Sequence, residues 1–285
     1  MFDRISKGFD LARSTWGVLL RDKHLLIFPI VSGILFVIVV ASFAIPLALF
    51  ADRINFNQGP KIGQVPVWMY GVAFAFYLCT YFVTIFCNSA LISCAFLRFN
   101  GETPTVGDGF RAAMARLPQI FAWAVVSATV GVILKVVENI HEKAGAFIAS
   151  LLGTAWSIMT FFVVPVLVVE KTGPFEAVRR SISLLKKTWG EALVGRLGLG
   201  LILFLLALPI IIVAIAGVYF LATGMTPVGV ALLVAAGIAL LLYLAVSSAL
   251  HTILLAALYE YADQGRVPEG FDRDTMEGAF VSKPA

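Results

Sequence analysis

The hydrophobic and polar positions of this chain follow the same course three times. A basic amphipathic stretch comes first, and two long apolar runs with a short connector between them follow it. This pattern predicts three helical hairpins, each preceded by an amphipathic helix. The amphipathic stretches cover about residues 2–24, 105–117 and 174–194, and the apolar runs cover about 25–50, 67–97, 118–137, 146–169, 197–220 and 228–258.

The apolar runs predict six transmembrane helices. About 20 apolar residues suffice to cross the hydrocarbon core as a helix, and the runs lack the alternation of barrel strands. The chain is 60% hydrophobic and only 13% charged, which excludes an ordinary soluble domain. We therefore expect an all-α polytopic fold that forms one integral membrane domain over residues 1–285. Pro165 and Pro209 lie inside runs and should kink them. The last run, at about 46 Å long, should tilt or project into the cytoplasm.

An internal repeat underlies the pattern. Residues 2–20 align with residues 175–193 at a constant offset, and Thr15-Trp16-Gly17 recurs as Thr188-Trp189-Gly190. The even-numbered runs also end alike, at Gly101-Glu-Thr-Pro104, Lys171-Thr-Gly-Pro174 and Gly265-Arg-Val-Pro268. We predict pseudo-repeats over 1–103, 104–173 and 174–270, and an acidic tail over 271–285.

The basic residues predict the orientation of the chain. Seventeen of the 21 Lys and Arg residues lie on the side that carries both termini, and only Arg53, Lys61, Lys135 and Lys143 lie on the other. Basic residues mark cytoplasmic segments. We therefore expect a protein of the cell (cytoplasmic) membrane with both termini in the cytoplasm.

The basic amphipathic helices have two interpretations. They could bind anionic lipid, since each basic residue near the surface contributes about 1 kcal/mol. They could instead serve to orient the hairpin that follows, with Trp16 and Trp189 as interface anchors. The expected anionic-lipid contacts are Arg4, Lys7, Arg13, Arg179, Arg180, Lys186 and Lys187.

Polar residues inside the second and sixth runs form a candidate intramembrane cluster. Polar groups are costly in lipid and often mark a function there. The cluster could line a passage or a binding pocket, or it could supply interhelical hydrogen bonds of about 0.6 kcal/mol each. Its members are Asn88, Ser89, Ser93, Ser247, Ser248, His251 and Thr252.

Signatures of enzymes are missing from the sequence. There is no glycine-rich phosphate loop, no His-Glu-x-x-His pair and no Gly-x-Ser-x-Gly elbow, which are the motifs of common catalytic sites. The three cysteines fall inside one apolar run, which is not a zinc or disulfide pattern. We expect no catalytic residue, metal or cofactor. The net charge of +4 comes from residues beside the spans, so nucleic acid is not an expected partner.

Several segments resemble an uncharacterised family of prokaryotic multi-pass membrane proteins. They are Val164-Pro-Val-Leu-Val-Val-Glu170, Gly173-Pro-Phe-Glu-Ala-Val-Arg-Arg-Ser181, Ala257-Leu-Tyr-Glu-Tyr-Ala262 and Gly265-Arg-Val-Pro-Glu-Gly-Phe271. The resemblance implies fold and location but no site. We expect a non-enzymatic protein that organises anionic lipid or membrane partner proteins at the cytoplasmic leaflet. A second copy of the chain is a further candidate partner. The alternative is a small transporter or channel that uses the polar cluster.

Overall fold

The computed structural model is all-α, as the hydrophobic pattern predicts. It describes residues 2–49, 67–140 and 144–271, and within these the side chains of 9–49, 68–138, 144–186 and 198–271. Every regular element in these ranges is a helix. A 3-10 turn covers Lys23–Leu26, and the α-helices are α1 (Phe2–Arg21), α2 (Ile27–Leu49), α3 (Val67–Phe99), α4 (Val106–Met114), α5 (Leu117–Ile140), α6 (Ala144–Met159), α7 (Val163–Glu170), α8 (Pro174–Ala222) and α9 (Thr226–Gln264).

The prediction of an all-α multi-pass membrane fold is confirmed. Within the described residues, six helical stretches are long and apolar enough to cross a membrane. They are Lys23–Leu49, Trp68–Phe99, Leu117–Glu138, Ala144–Glu170, Gly198–Ala222 and Thr226–Gln264.

One proline interrupts its span as predicted, and one amphipathic stretch differs from the predicted pattern. The fourth span is broken between α6 and α7, because Pro165 lacks an N–H and its ring crowds the carbonyl of Phe161, four residues earlier. The third amphipathic stretch is not a separate helix but the first part of α8, which runs through Pro209 into the fifth span. No proline lies between Pro174 and Pro209 to end the helix.

Individual side-chain contacts join the first span to the second, the third to the fourth and the fifth to the sixth. Phe43 of α2 meets Phe76 of α3 edge to face, with ring centroids 5.5 Å apart. Trp123 of α5 stacks on Trp156 of α6. Glycines provide the close approach between α8 and α9, where a Cβ on Gly217 would lie 2.9 Å from Leu233. The connectors at residues 50–66 and 141–143 lie outside the described residues, and the grouping of all six spans as three hairpins stays a prediction.

The chain forms two compact units. The first comprises Met1–Pro29, Cys94–Pro104 and Lys187–Ala285, and the second comprises Ile30–Ser93 and Thr105–Lys186. Each unit is a set of segments that contact one another, and the boundaries of the units differ from those of the predicted pseudo-repeats. The repeat boundaries and the acidic tail, whose residues after 271 lie outside the described part, stay predictions.

Buried residues concentrate in the C-terminal halves of the even-numbered spans. In α3 the side chains from 89 to 95 are all buried, whereas none from 68 to 84 is. In α9 nearly every residue from 249 to 260 is buried, and in α7 the buried residues include Val163, Val166 and Leu167. The packed core therefore lies at the ends of these helices rather than at their centres.

The three even-numbered spans end in the same backbone conformation. Gly101, Lys171 and Gly265 all have positive φ, at 81°, 58° and 66°. Such a left-handed residue ends a helix by turning the chain away from it. A proline follows each of them three residues later. The similar end sequences noted above thus share one structural role, and Lys171 fills it without being a glycine.

Each amphipathic helix packs on an even-numbered span. In the second unit, Phe110 of α4 stacks on Phe86 of α3, and the Oγ of Ser181 in α8 accepts a hydrogen bond from the N–H of Phe162 before α7. In the first unit, α1 packs on α9. The helices α4 and α8 follow the spans that they contact, whereas α1 packs on the last span of the chain.

Candidate functional site

One face of α1 is buried in the first unit and the adjacent face is exposed. Leu11, Ala12, Thr15, Val18 and Leu19 are buried, at spacings that define one side of a helix. The exposed side, which we call the α1 stripe, consists of Phe9, Arg13, Trp16 and Leu20. Phe9, Ala12, Trp16 and Leu19 are spaced three and four residues apart, which predicts a single apolar face, but the structure buries only Ala12 and Leu19 of these.

The first part of α8 has the same arrangement in the second unit. Its buried residues include Ala177, Ser181, Leu184 and Leu185. The exposed side, which we call the α8 stripe, consists of Phe175, Arg179, Ile182 and Lys186, of which Ile182 is half-buried. Both stripes place large apolar side chains beside exposed cations on a helix whose other face is held by protein.

The predicted lipid contacts differ in their availability. Arg13, Arg179 and Lys186 are exposed. Arg180 is instead engaged by Glu170 at the end of α7, with Nε 2.8 Å from Oε1. The side chains of Arg4, Lys7, Lys187 and Trp189 lie outside the described residues. Trp16 is exposed, as an interface anchor must be.

The candidate polar cluster divides between the two units. Asn88, Ser89 and Ser93 belong to the second unit, and the other four residues belong to the first. Within the second unit Asn88 is half-buried and Ser89 is buried, and the hydroxyl of Ser89 has no hydrogen-bond partner in the described part of the chain. Ser93 donates to the carbonyl of Ser89 at 2.8 Å, within its own helix.

The residues of the cluster in α9 behave similarly. Thr252 is buried and donates to the carbonyl of Ser248 at 2.9 Å. Ser247 and Ser248 are half-buried, and His251 is exposed. Because Ser93 and Thr252 both donate to the preceding helical turn, their hydroxyl protons are used locally. That the two groups meet in one cluster stays a prediction.

A buried ion pair joins the ends of α1 and α3 in the first unit. Arg98 donates through Nε and Nη2 to the two carboxylate oxygens of Asp22. Asp22 is buried, and the side chain of Arg98 is 17% exposed. A bidentate contact of this kind fixes the relative orientation of the two side chains as well as pairing their charges. In the sequence, Arg98 counts only among the 17 basic residues that predict orientation, because no local pattern links residues so far apart.

The segment after α9 packs on the end of α3, next to this ion pair. Arg266 donates from Nη1 to Oδ1 of Asn100 at 3.1 Å. Phe271 meets Phe99 edge to face, with centroids 5.9 Å apart. A Cβ on Gly101 would lie only 3.1 Å from Oε2 of Glu269. The sequence Gly265-Arg-Val-Pro-Glu-Gly-Phe271, which carries part of the family resemblance, thus has a structural role in closing the first unit.

A capping box begins α4 in the second unit. The N–H of Asp108 donates to Oγ1 of Thr105, and the N–H of Thr105 donates to Oδ2 of Asp108. The hydroxyl and the N–H of Thr105 both hold the pKa of Asp108 below its usual range, and Arg111 adds to this effect. The Thr-x-x-Asp spacing is a sequence signal for this cap, and the sequence analysis missed it.

The chain can now be placed among known proteins. The profile of a family of unknown function, DUF6159, matches residues 67–270. The chain belongs to the DUF6159 family. The matched region of DUF6159 begins with α3 and ends within the segment that closes the first unit. No curated protein matches the chain. The chain is a multi-pass membrane protein, and the activity of DUF6159 is unknown.

Proposed function

We propose that this DUF6159 protein is a non-enzymatic membrane protein that organises anionic phospholipid at the cytoplasmic leaflet. It would lie in the cell membrane with both termini in the cytoplasm. A second copy of the chain or another membrane protein is the further partner that we propose. The observation that carries the proposal is the pair of exposed stripes on α1 and α8.

The composition of the stripes suits a membrane surface. Phe175 is 73% exposed and Trp16 is 38% exposed, which is unfavourable in water but favourable where lipid chains meet headgroups. The cations Arg13, Arg179 and Lys186 lie on the same sides of these helices, each three or four residues from an apolar member of its stripe. Apolar insertion and charge attraction therefore act on one face.

The strength of the contact can be estimated for the α8 stripe. Each cation near an anionic surface contributes about 1 kcal/mol, so Arg179 and Lys186 together contribute about 2 kcal/mol. Arg180 contributes less because Glu170 already neutralises it. The attraction should weaken with salt, since exposed charges are screened over about 8–10 Å at physiological ionic strength.

The test is a comparison of lipid preference in reconstituted protein. Spin-labelled phosphatidylglycerol and phosphatidylcholine report which lipid associates with the protein surface. We expect the wild type to prefer phosphatidylglycerol, and the double variant Arg179→Gln/Lys186→Gln to show a preference that is lower by roughly thirtyfold. The matched control, Arg53→Gln/Lys61→Gln, removes two cations from the predicted opposite side and should retain it. Equal association of both lipids with the wild type would contradict the proposal.

A further inference from the structure

Five of the six spans contain a continuous stretch that carries no charge and is almost wholly unburied. The stretches are 29–49 in α2, 68–84 in α3, 144–161 from α6 onward, 201–222 in α8 and 226–244 in α9. The buried residues within these stretches are Gly145, Leu203, Gly217, Gly229 and Ala236.

The lengths of these stretches match a bilayer. They contain about 17 to 22 residues, which corresponds to roughly 26–33 Å at 1.5 Å per residue. The hydrocarbon core is about 30 Å thick. Aromatic side chains that favour the interface lie near their ends, at Trp68 in α3, Trp156 in α6, Tyr219 in α8 and Tyr243 in α9.

The residues beyond these stretches have a different character. After residue 84 of α3 and residue 244 of α9, most side chains are buried by protein, and charged residues appear at Arg98 and Glu260. A helix surface that is covered by protein has no need of lipid, and charges are strongly disfavoured in the hydrocarbon. The helix α9 is also about 58 Å long, so it must extend past the bilayer or tilt strongly.

We infer that the hydrocarbon ends near Thr84 in α3 and near Leu244 in α9. The residues predicted to form an intramembrane cluster then lie at the level of the lipid headgroups, and the exposed imidazole of His251 faces them. This placement puts the exposed His251 and the half-buried Asn88, Ser247 and Ser248 in a hydrated layer rather than in hydrocarbon. It accounts for their presence without a passage through the membrane.

Spin-label accessibility in liposomes tests this inference along α9. The series uses Ile238→Cys, His251→Cys and Gln264→Cys in a Cys79→Ser background, since Cys87 and Cys94 are buried. Collision with oxygen reports the hydrocarbon, and collision with a nickel chelate reports water. We expect a label at residue 238 to lie in the hydrocarbon and a label at residue 264 to lie in water. A label at residue 251, about 20 Å from residue 238 along the helix, should lie at the level of the headgroups. An equal depth for 238 and 251 would overturn the inference.

A second series along α3 tests the second unit independently. The label on the native Cys79, which is exposed, should read as hydrocarbon, and a label on Asn88→Cys in the Cys79→Ser background should read as headgroup level. If His251→Cys fails to fold, Ser247→Cys serves in its place. A deep reading for residue 88 would contradict the inference in this unit. Neither series depends on lipid charge, so failure of the proposed function leaves these outcomes unaffected.

Discussion

The side chains of Asp22 and Arg98 illustrate what a single residue contributes to this fold. Removing one partner of a buried ion pair leaves the other charge without compensation, which costs about 3–5 kcal/mol. We expect Arg98→Met to destabilise the protein by this amount in reversible unfolding from detergent. The double variant Asp22→Asn/Arg98→Met should recover much of the loss, because no buried charge then remains.

An exposed ion pair provides the matched comparison. Lys135 and Glu138 lie 2.9 Å apart with both side chains about half exposed, and such pairs contribute about 0–1 kcal/mol. Lys135→Met should therefore have little effect on stability. If Arg98→Met were equally harmless, the ion pair would not be holding the first unit together.

Lys171 allows a second prediction at the scale of one residue. In the left-handed conformation a residue with a Cβ is about 1–2 kcal/mol less favourable than glycine. Glycine loses more conformational entropy on folding, which offsets part of this difference. We expect Lys171→Gly to stabilise the protein by about 0.5–1 kcal/mol, measured as a rise in thermal midpoint.

Gly265 is the control for this effect. It has the same conformation, and a Cβ there would meet no atom within 4 Å. Gly265→Ala should therefore destabilise the protein through backbone conformation alone. A Lys171→Gly variant that is less stable than the wild type would show instead that the lysine side chain has a structural role.

At the scale of elements, the hydrophobic pattern predicted the six spans, and Pro165 predicted a kink in the fourth of them but not the contact that accompanies it. Period and length determine where apolar helices occur, and these are local properties. The break between α6 and α7 depends on Pro165 together with the hydroxyl of Ser181, which accepts the N–H of Phe162 at 3.0 Å. Pro165 can be recognised in the sequence, but the hydrogen bond from Phe162 to Ser181 can be recognised only once α8 is packed against α7.

This break can be tested through its hydrogen bond. Ser181→Ala should remove the side-chain acceptor of the buried N–H of Phe162, at a cost of about 1 kcal/mol in unfolding free energy. Adding Pro165→Ala should reduce the cost, because a continuous helix lets this N–H bond to the carbonyl four residues earlier. Pro165→Ala alone is the control. Equal costs of Ser181→Ala with and without the proline would contradict the coupling.

At the scale of the whole molecule, the repeat stays a prediction, and its copies share two structural features. Residues 10–13 of α1 and 183–186 of α8, which align in sequence, show the same order of exposed, buried, buried and exposed side chains. The three even-numbered spans end in the same left-handed turn. Contacts such as α1 on α9 could not be predicted, because they join the two ends of the chain and leave no periodic signal between neighbours.

The orientation of the chain remains the broadest prediction that the charges make. We expect Met225, an exposed residue between α8 and α9, and Glu102, an exposed residue after α3, to lie on opposite sides of the membrane. In a Cys79→Ser background, a membrane-impermeant maleimide should label Met225→Cys in intact spheroplasts, but Glu102→Cys only after the membrane is opened. The cause is the excess of Lys and Arg around Glu102. Labelling of Glu102→Cys in intact spheroplasts would place the basic helices outside the cell and remove them from the cytoplasmic leaflet.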